Sequence, residues 1–246
     1  MNKFLIITVL FSSLLSSQTR IIAHRGFWKT ENSAQNSISS LKNAQKLKVY
    51  GSEFDVRMTK DGKLVINHDE HIDNLEISEF NDLVLRKLKL KNGEHLPTLK
   101  NYLKQGKKDA SVKLIVELKP AKTLALEKEI VEKVLNEIKK FNLEDQTEFI
   151  SFSLHICKEL KKQDPQTVVQ YLNGELSPMQ LKEIGLNGFD YHFKVLQKNP
   201  TWVSEAKSLG LITNSWTVND EKIYAELKNM GIDFVTTDIP NELKNK

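Results

Sequence analysis

Two pairs of charged residues share a spacing that matters chemically. Glu53 and Asp55 stand two apart in GSEFDVRM, and Glu117 and Lys119 stand two apart in KLIVELK. Side chains of a β-strand alternate between its faces, so each pair occupies one face. Neighbouring carboxylates repel, and a fold tolerates them cheaply only in water or beside a cation. LIVEL reads as a strand buried on both faces, where an unpaired carboxylate is costly. Ordinary surface charge accounts for Glu53 and Asp55 but poorly for Glu117. Convergence of Glu53, Asp55 and Glu117 on a hard divalent cation, Ca²⁺ or Mg²⁺, accounts for all three, since such ions take oxygen ligands. No paired cysteines or closely spaced histidines favour zinc. His24 follows IIA and His68 follows VIN. Two imidazoles flanking a substrate can serve as general base and general acid near neutral pH. Arg25 and Lys119 add cations suited, with a metal, to a group that spreads negative charge over several oxygens, such as a phosphodiester. Trp216, after ITNS, is placed to pack on an apolar or cationic part of a substrate. His192 ends a strand-like run and is a candidate to line the same pocket. His71, His95 and His155 read as surface or packing residues.

Something must bring these residues together. Apolar, β-branched runs recur at RIIAH, SEFDV, KLVINH, KLIVELK, TEFISFS, TVVQYL, GFDYH, LITNSWTV and DFVTTD. Helical patterns lie between most of them. Ile130, Val131, Val134, Leu135 and Ile138 share one helical face, as do Ile38, Leu41 and Ala44, and Ile223, Leu227 and Met230. Gly185, Gly210 and Gly231 supply helix stops ahead of strands. Repeated βα alternation implies a parallel sheet covered by helices. The count approaches eight when GSEFDV and KLVINH form one hairpin-decorated unit turning at Asp61-Gly62. The expected fold is a closed (β/α)₈ TIM barrel, ahead of an open doubly wound sheet. A small insertion, with Asn92-Gly93 as a second turn signal, is expected after the second strand unit, from about Glu70 to Pro97. In a barrel the C-terminal strand ends share one mouth. His24, His68, Glu117, Lys119, Trp216 and Asp238 all fall at such ends.

The chain has 246 residues with 36 Lys and Arg against 32 Asp and Glu, a net charge of +4. The excess is small and dispersed, without the concentrated basic stripe of a nucleic-acid binder. The local excess at Arg86, Lys87, Lys89 and Lys91 reads as a solvated face. The start, MNKFLIITVLFSSLLSSQTR, has a basic residue, a short apolar run and then small residues, the layout of a secretory signal peptide. That run is too short to span a bilayer. Residues 1–17 are therefore expected to be a signal, and residues 18–246 the barrel domain of an exported protein, periplasmic or secreted. No stable membrane insertion is expected after processing. The lone Cys157 allows no internal disulfide and reads as a small buried apolar residue. Oligomeric state is not legible.

Taken in order, AHRG, ENS, GSEFDVRMTKDGKLVINHD, VELKP, WTVND and TTDIP resemble the glycerophosphodiester phosphodiesterase family, from Ile21 to about Pro240. The resemblance implies a TIM barrel with a small insertion. It also implies divalent-cation-dependent hydrolysis of small-molecule glycerophosphodiesters to glycerol 3-phosphate and an alcohol. It makes His24 and His68 the acid–base pair and Glu53, Asp55 and Glu117 the metal carboxylates. Arg25 and Lys119 become phosphate contacts, and Trp216 a substrate-pocket residue. The family's Pro-Glu-Asn-Thr stretch corresponds here to Thr30-Glu31-Asn32-Ser33, and its Arg-Thr-Thr after His-Asp is replaced by EHIDNLEISEF, which alters the pocket wall. Two other functions fit the same residues: a cyclising lyase acting on lysophospholipid or sphingolipid diesters, and a non-catalytic phosphoester-binding protein.

Overall fold

The structure, a computed structural model, describes residues 18–246. The expected signal peptide, residues 1–17, lies outside the described residues. Period-two alternation organises the rest. Along β1 (Arg20–Ala23), Ile21 and Ala23 join the outer core while Ile22 faces inward. The same alternation runs through β2 (Gly51–Met58), β6 (Lys113–Leu118), β7 (Thr147–Ser151), β8 (Val168–Tyr171), β9 (Gly188–His192), β10 (Ile212–Trp216) and β11 (Phe234–Thr237). These eight strands pair in parallel, and β1 bonds to both β11 and β2, so the sheet closes. This is the expected TIM barrel.

The outer core lies between the sheet and the helices: α1 (Ile38–Leu47), α3 (Leu99–Gly106), α4 (Leu124–Phe141), α5 (Leu154–Gln163), α6 (Pro178–Ile184), α7 (Phe193–Lys198), α8 (Trp202–Ser208), α9 (Glu221–Asn229) and α10 (Pro240–Leu243). Hydroxyl or carboxylate N-caps start most of the longer ones. Ser37, Thr98, Thr123, Ser153, Ser177 and Asp220 each accept a backbone N–H of the first turn, satisfying a donor that the helix leaves free. Gly185 closes α6 at φ 84°, as its position in the sequence suggested. Cys157 is buried in the outer core. A smaller core fills the barrel itself, built from Ile22, Ile115, Ile150, Leu172 and Phe234. The N-terminal end of the barrel is closed by Arg20, whose guanidinium lies 4.1 Å from the Tyr50 ring centroid and 4.4 Å from that of Phe234. The Tyr50 hydroxyl donates to Glu148.

β2 outruns β1 at its C-terminal end, and its spare edge is taken by β3 (Leu64–Ile66), antiparallel, after the expected Asp61-Gly62 turn. The insertion follows from residue 67, with a two-stranded ribbon of β4 (His71–Ile72) and β5 (Leu75–Glu76) and the short α2 (Asp82–Leu85). Its Ile72, Ile77, Leu85 and Leu96 pack with Val65 of β3 into a separate small core, so it stands as a packed rim. Among the described residues, no helix is long and apolar enough to cross a membrane.

Candidate active site

Register builds the acidic cluster. Asp55 of β2 lies opposite Glu117 of β6, and Glu53 lies opposite Ile115, one inward-facing layer below. The three side chains each bring an oxygen within 4.8 Å of the others. They are almost fully buried, at 2% exposure for Glu53, 1% for Asp55 and 7% for Glu117. Lys119 points the same way as Glu117, and its Nζ lies 2.7 Å from Asp55 Oδ1 and 2.5 Å from Glu117 Oε1. One ammonium thus faces two of three buried carboxylates. Burial, with Asp55 and Glu117 close by, holds the Glu53 carboxyl well above the ordinary carboxylate range. Burial and Asp55 likewise raise Glu117, against the pull of Lys119. Burial would raise Asp55 too, but Lys119, His68 and Asn36 outweigh it and hold Asp55 ionised.

Glu53 Oε2 accepts the Arg25 backbone N–H at 2.7 Å, while Glu53 Oε1 is buried with no hydrogen-bond partner. An orphaned buried oxygen beside two more carboxylates is the donor set of a hard divalent cation, and these residues fit one.

The turn after β1 is built around this cluster. Arg25 sits at φ 53°, a left-handed conformation that carries strain for a side chain of its size. Several bonds hold it there. The Arg25 carbonyl accepts from Ser40 Oγ and from the Asn36 backbone N–H, both at 3.0 Å, and the Gly26 N–H donates to the Glu53 carbonyl at 3.0 Å. Gly26 is required: a Cβ there would stand 2.3 Å from Ser40 Oγ. Arg25 Nε ends 3.8 Å from Asp55 Oδ2, and Arg25 Nη1 donates to Gln35.

Each candidate imidazole is held by an aspartate. His24 Nδ1 lies 2.8 Å from Asp238 Oδ1, and His68 Nδ1 lies 2.7 Å from Asp69 Oδ1. With Nδ1 bound to a carboxylate, each ring offers Nε2 to a substrate. Asp238 is itself held by Trp28 Nε1 at 3.2 Å and Asn219 Nδ2 at 2.7 Å. Burial would raise the Asp238 carboxyl, but His24, Asn219 and Trp28 bring it down to about 2. Burial, and then the Lys119 charge, lower the His68 pKa, which favours neutral imidazole at pH 7. Arg57 donates twice to the His68 carbonyl, from Nε at 2.9 Å and Nη2 at 2.8 Å, and so anchors the loop.

The other half of the mouth is apolar. Phe152, Leu172 and Trp216 follow or end β7, β8 and β10, and Phe152 and Trp216 meet edge to face at 5.5 Å. Trp216 Nε1 donates to the Asp190 carbonyl at 3.0 Å, so this residue offers its ring to the mouth. Beside the charged half a cleft of about 580 Å³ runs past Arg57, Lys119, Ile77 and Leu126.

His24, Arg25, Glu53, Asp55, His68, Glu117, Lys119 and Trp216 therefore all belong to the C-terminal end of the barrel. His71 and His95 are exposed, and His155 pairs with Glu127 outside the mouth. The asparagine that serves the site is not Asn32 of the ENS stretch, which is exposed, but Asn36. Asn36 Nδ2 donates to Asp55 Oδ2 at 2.7 Å, its Oδ1 accepts the Asp55 N–H at 3.2 Å, and Ser37 beside it caps α1. Both Asn32 and Asn36 take positive φ and both precede serine, so neither turn chemistry nor local pattern separates them; only packing on β2 does. Arg57, Asp69 and Asn219 also support the site, through the His68 carbonyl, the His68 ring and Asp238. The signal for Asn219 and Asp238 was their recurrence after strand ends.

The family model described as glycerophosphoryl diester phosphodiesterase matches residues 24–242. A glycerophosphodiester phosphodiesterase of Caldanaerobacter subterraneus subsp. tengcongensis is 30% identical over 245 residues, covering 93% of this chain and 97% of the relative. A crystal structure of a glycerophosphodiester phosphodiesterase from Parabacteroides distasonis superposes with a TM-score of 0.91 at 48% identity, covering 92% of this chain and 95% of that one. An Oleispira antarctica phosphodiesterase, solved with the product sn-glycerol-3-phosphate, shares the fold with a TM-score of 0.81 at 24% identity, covering 93% of this chain and 96% of that one.

Proposed function

The chain belongs to the glycerophosphoryl diester phosphodiesterase family, and from that membership we propose that it hydrolyses glycerophosphodiesters to glycerol 3-phosphate and an alcohol with a divalent cation held by Glu53, Asp55 and Glu117. It is a phosphoric diester hydrolase. The observation that carries the cation is the unpartnered Glu53 oxygen inside a three-carboxylate cluster. When bound, a divalent cation supplies charge neutralisation and polarises a phosphoryl oxygen.

The chain's own groups do the rest. Lys119 has three donors and stands in ion-pair contact with two carboxylates, Asp55 and Glu117, so at least one donor remains for a phosphoryl oxygen. Arg25, locked by its turn, presents a second cation to the same oxygens, where negative charge builds in the transition state. One of His24 and His68 takes a proton from the nucleophile through Nε2. The other gives a proton to the leaving alcohol. Asp238 and Asp69 keep each ring in the tautomer these steps need, and each stabilises its imidazolium. The nucleophile is water, or the glycerol 2-hydroxyl by way of a cyclic phosphate. The cleft beside Arg57 and Lys119 gives the alcohol room. Export belongs to the same proposal and rests on residues 1–17; N-terminal sequencing of the mature protein tests it.

Purified protein offered glycerophosphocholine, glycerophosphoethanolamine and glycerophosphoglycerol should release glycerol 3-phosphate, and chelation should stop it. Product formed at the same rate in excess chelator would remove the cation from the account. Cyclic phosphate as the end product would make the enzyme a lyase.

A further inference from the structure

His192 stands in the apolar half of the mouth with one ring nitrogen, Nε2, that bonds to nothing among the described residues. His192 ends β9, and its register partner on β10 is Trp216, so its ring stands level with that indole. The two rings meet edge to face at 5.1 Å, and Phe193 stacks on the imidazole at 4.4 Å. The Lys194 backbone N–H donates to His192 Nδ1 at 3.2 Å. A backbone N–H can only donate, so Nδ1 is unprotonated and the neutral ring carries its proton on Nε2. Burial lowers the His192 pKa further and favours that neutral form. Phe152 and Leu172 have no side-chain donor, and Trp216 Nε1 is committed to the Asp190 carbonyl. Gln170 Nε2 on β8 also lacks a partner but is fully buried in the barrel, so the half-buried His192 offers its Nε2–H as the donor of this wall that a substrate can reach. A diester with its phosphoryl group against Lys119 and Arg25 must lay its glycerol carbons somewhere. A half-apolar wall with an accessible donor at its edge suits a short carbon chain that ends in one hydroxyl.

Resting on the proposed diesterase activity, we propose that His192 is a substrate-positioning residue whose Nε2–H donates to the terminal hydroxyl of the glycerol moiety. The orienting stack of Phe193 and the edge contact with Trp216 hold the donor before substrate arrives.

Two variants separate this role from the capping role of the same side chain. His192→Asn keeps an oxygen that can accept the Lys194 N–H but is too short to reproduce Nε2. His192→Phe keeps the ring and loses both bonds. Choline release is measured from glycerophosphocholine and from its 1,2-propanediol analogue, which lacks the terminal hydroxyl. His192→Asn should raise KM for glycerophosphocholine roughly 3- to 10-fold, the range for one neutral hydrogen bond, with kcat within about 2-fold. On the analogue, wild type and His192→Asn should have equal KM. His192→Phe should show the same KM pattern together with a lower Tm. An unchanged KM in His192→Asn, or an equal loss on both substrates, overturns the inference while leaving the diesterase standing. Wild-type protein that turns over neither substrate overturns the diesterase reading and this inference with it.

Discussion

The two halves of the mouth are built on different terms. On β1, β2, β6 and β11, and in the loop after β3, the side chains are charged, and most are held by a second residue: His24 by Asp238, itself held by Asn219, Asp55 by Asn36, and His68 by Asp69. At the rim of β7, β8, β9 and β10 the wall is aromatic and aliphatic, with contacts that orient rings, and the polar Glu148, Gln170 and Asp190 of these strands are buried deeper in the barrel. A crowded, pre-arranged set of charges costs stability, and its benefit appears only when charge develops on a substrate. An apolar wall contributes to binding in ground and transition states alike. The charged half should therefore govern kcat, and the apolar half KM.

The histidines test this division hardest. His24→Ala and His68→Ala should each lower kcat by roughly 10²–10⁴-fold; His24→Ala also takes the imidazole partner from half-buried Asp238 and should lower Tm, whereas His68→Ala, whose partner Asp69 is exposed, should change Tm little. Steady-state kinetics on glycerophosphocholine and a thermal melt measure both. Near-normal turnover in both variants would remove them from the chemistry.

Next in size is the response to cation. Ca²⁺ or Mg²⁺ at 100 times its Kd should stabilise wild type by about 2.7 kcal/mol. Glu53→Gln should lose that response. Without cation, however, Glu53→Gln should be at least as stable as wild type, because it removes a buried carboxyl crowded by Asp55 and Glu117. Denaturant melts with and without chelator read both signs. A Glu53→Gln protein that is less stable without cation and equally stabilised by it would show that the cluster is structural.

The acid limb of stability examines the positioning pairs. The Asp238 carboxyl is brought down to about 2. A depressed carboxyl contributes stability that is complete above its unfolded pKa of about 3.9 and is lost as pH falls through the folded value. Asp238→Asn should thus cost about 2 kcal/mol at pH 5 to 6. The difference from wild type should shrink between about pH 4 and 2, as followed by urea melts across that range. A difference that does not change with pH would place the cost in packing alone.

How far the sequence discloses this arrangement follows from the range of the interactions. Period-two alternation in SEFDV and LIVELK is local, so the inward direction of Glu53, Asp55, Glu117 and Lys119 could be read directly. Closure of the sheet followed from counting βα units. Asn36 could not be separated from Asn32, because what distinguishes them is contact with Asp55, nineteen positions along the chain. The partnership of His24 with Asp238 spans 214 positions and appears only when β1 and β11 meet at the closing seam of the barrel. The spare proton of His192 depends on a backbone N–H two residues later, and so on the start of α7 at Phe193. Residues whose function is set by their own strand were legible, whereas residues that act by holding another were not.

The smallest effect is expected at Trp216, where the apolar half is tested on its own terms. Its indole is half-buried between Phe152 and His192 and spends its N–H on the Asp190 carbonyl, so it presents carbon to the substrate. Trp216→Leu keeps an apolar surface but gives up area and the edge contact that orients His192. KM for glycerophosphocholine should rise a few-fold, on the order of 1 kcal/mol of lost contact, while kcat stays within about 2-fold of wild type. In combination with His192→Asn the losses should not add, because Trp216 acts in part by holding that ring. A Trp216→Leu enzyme that loses kcat as steeply as the histidine variants would show that the indole also serves the chemistry, and the division of the mouth into two halves would no longer hold.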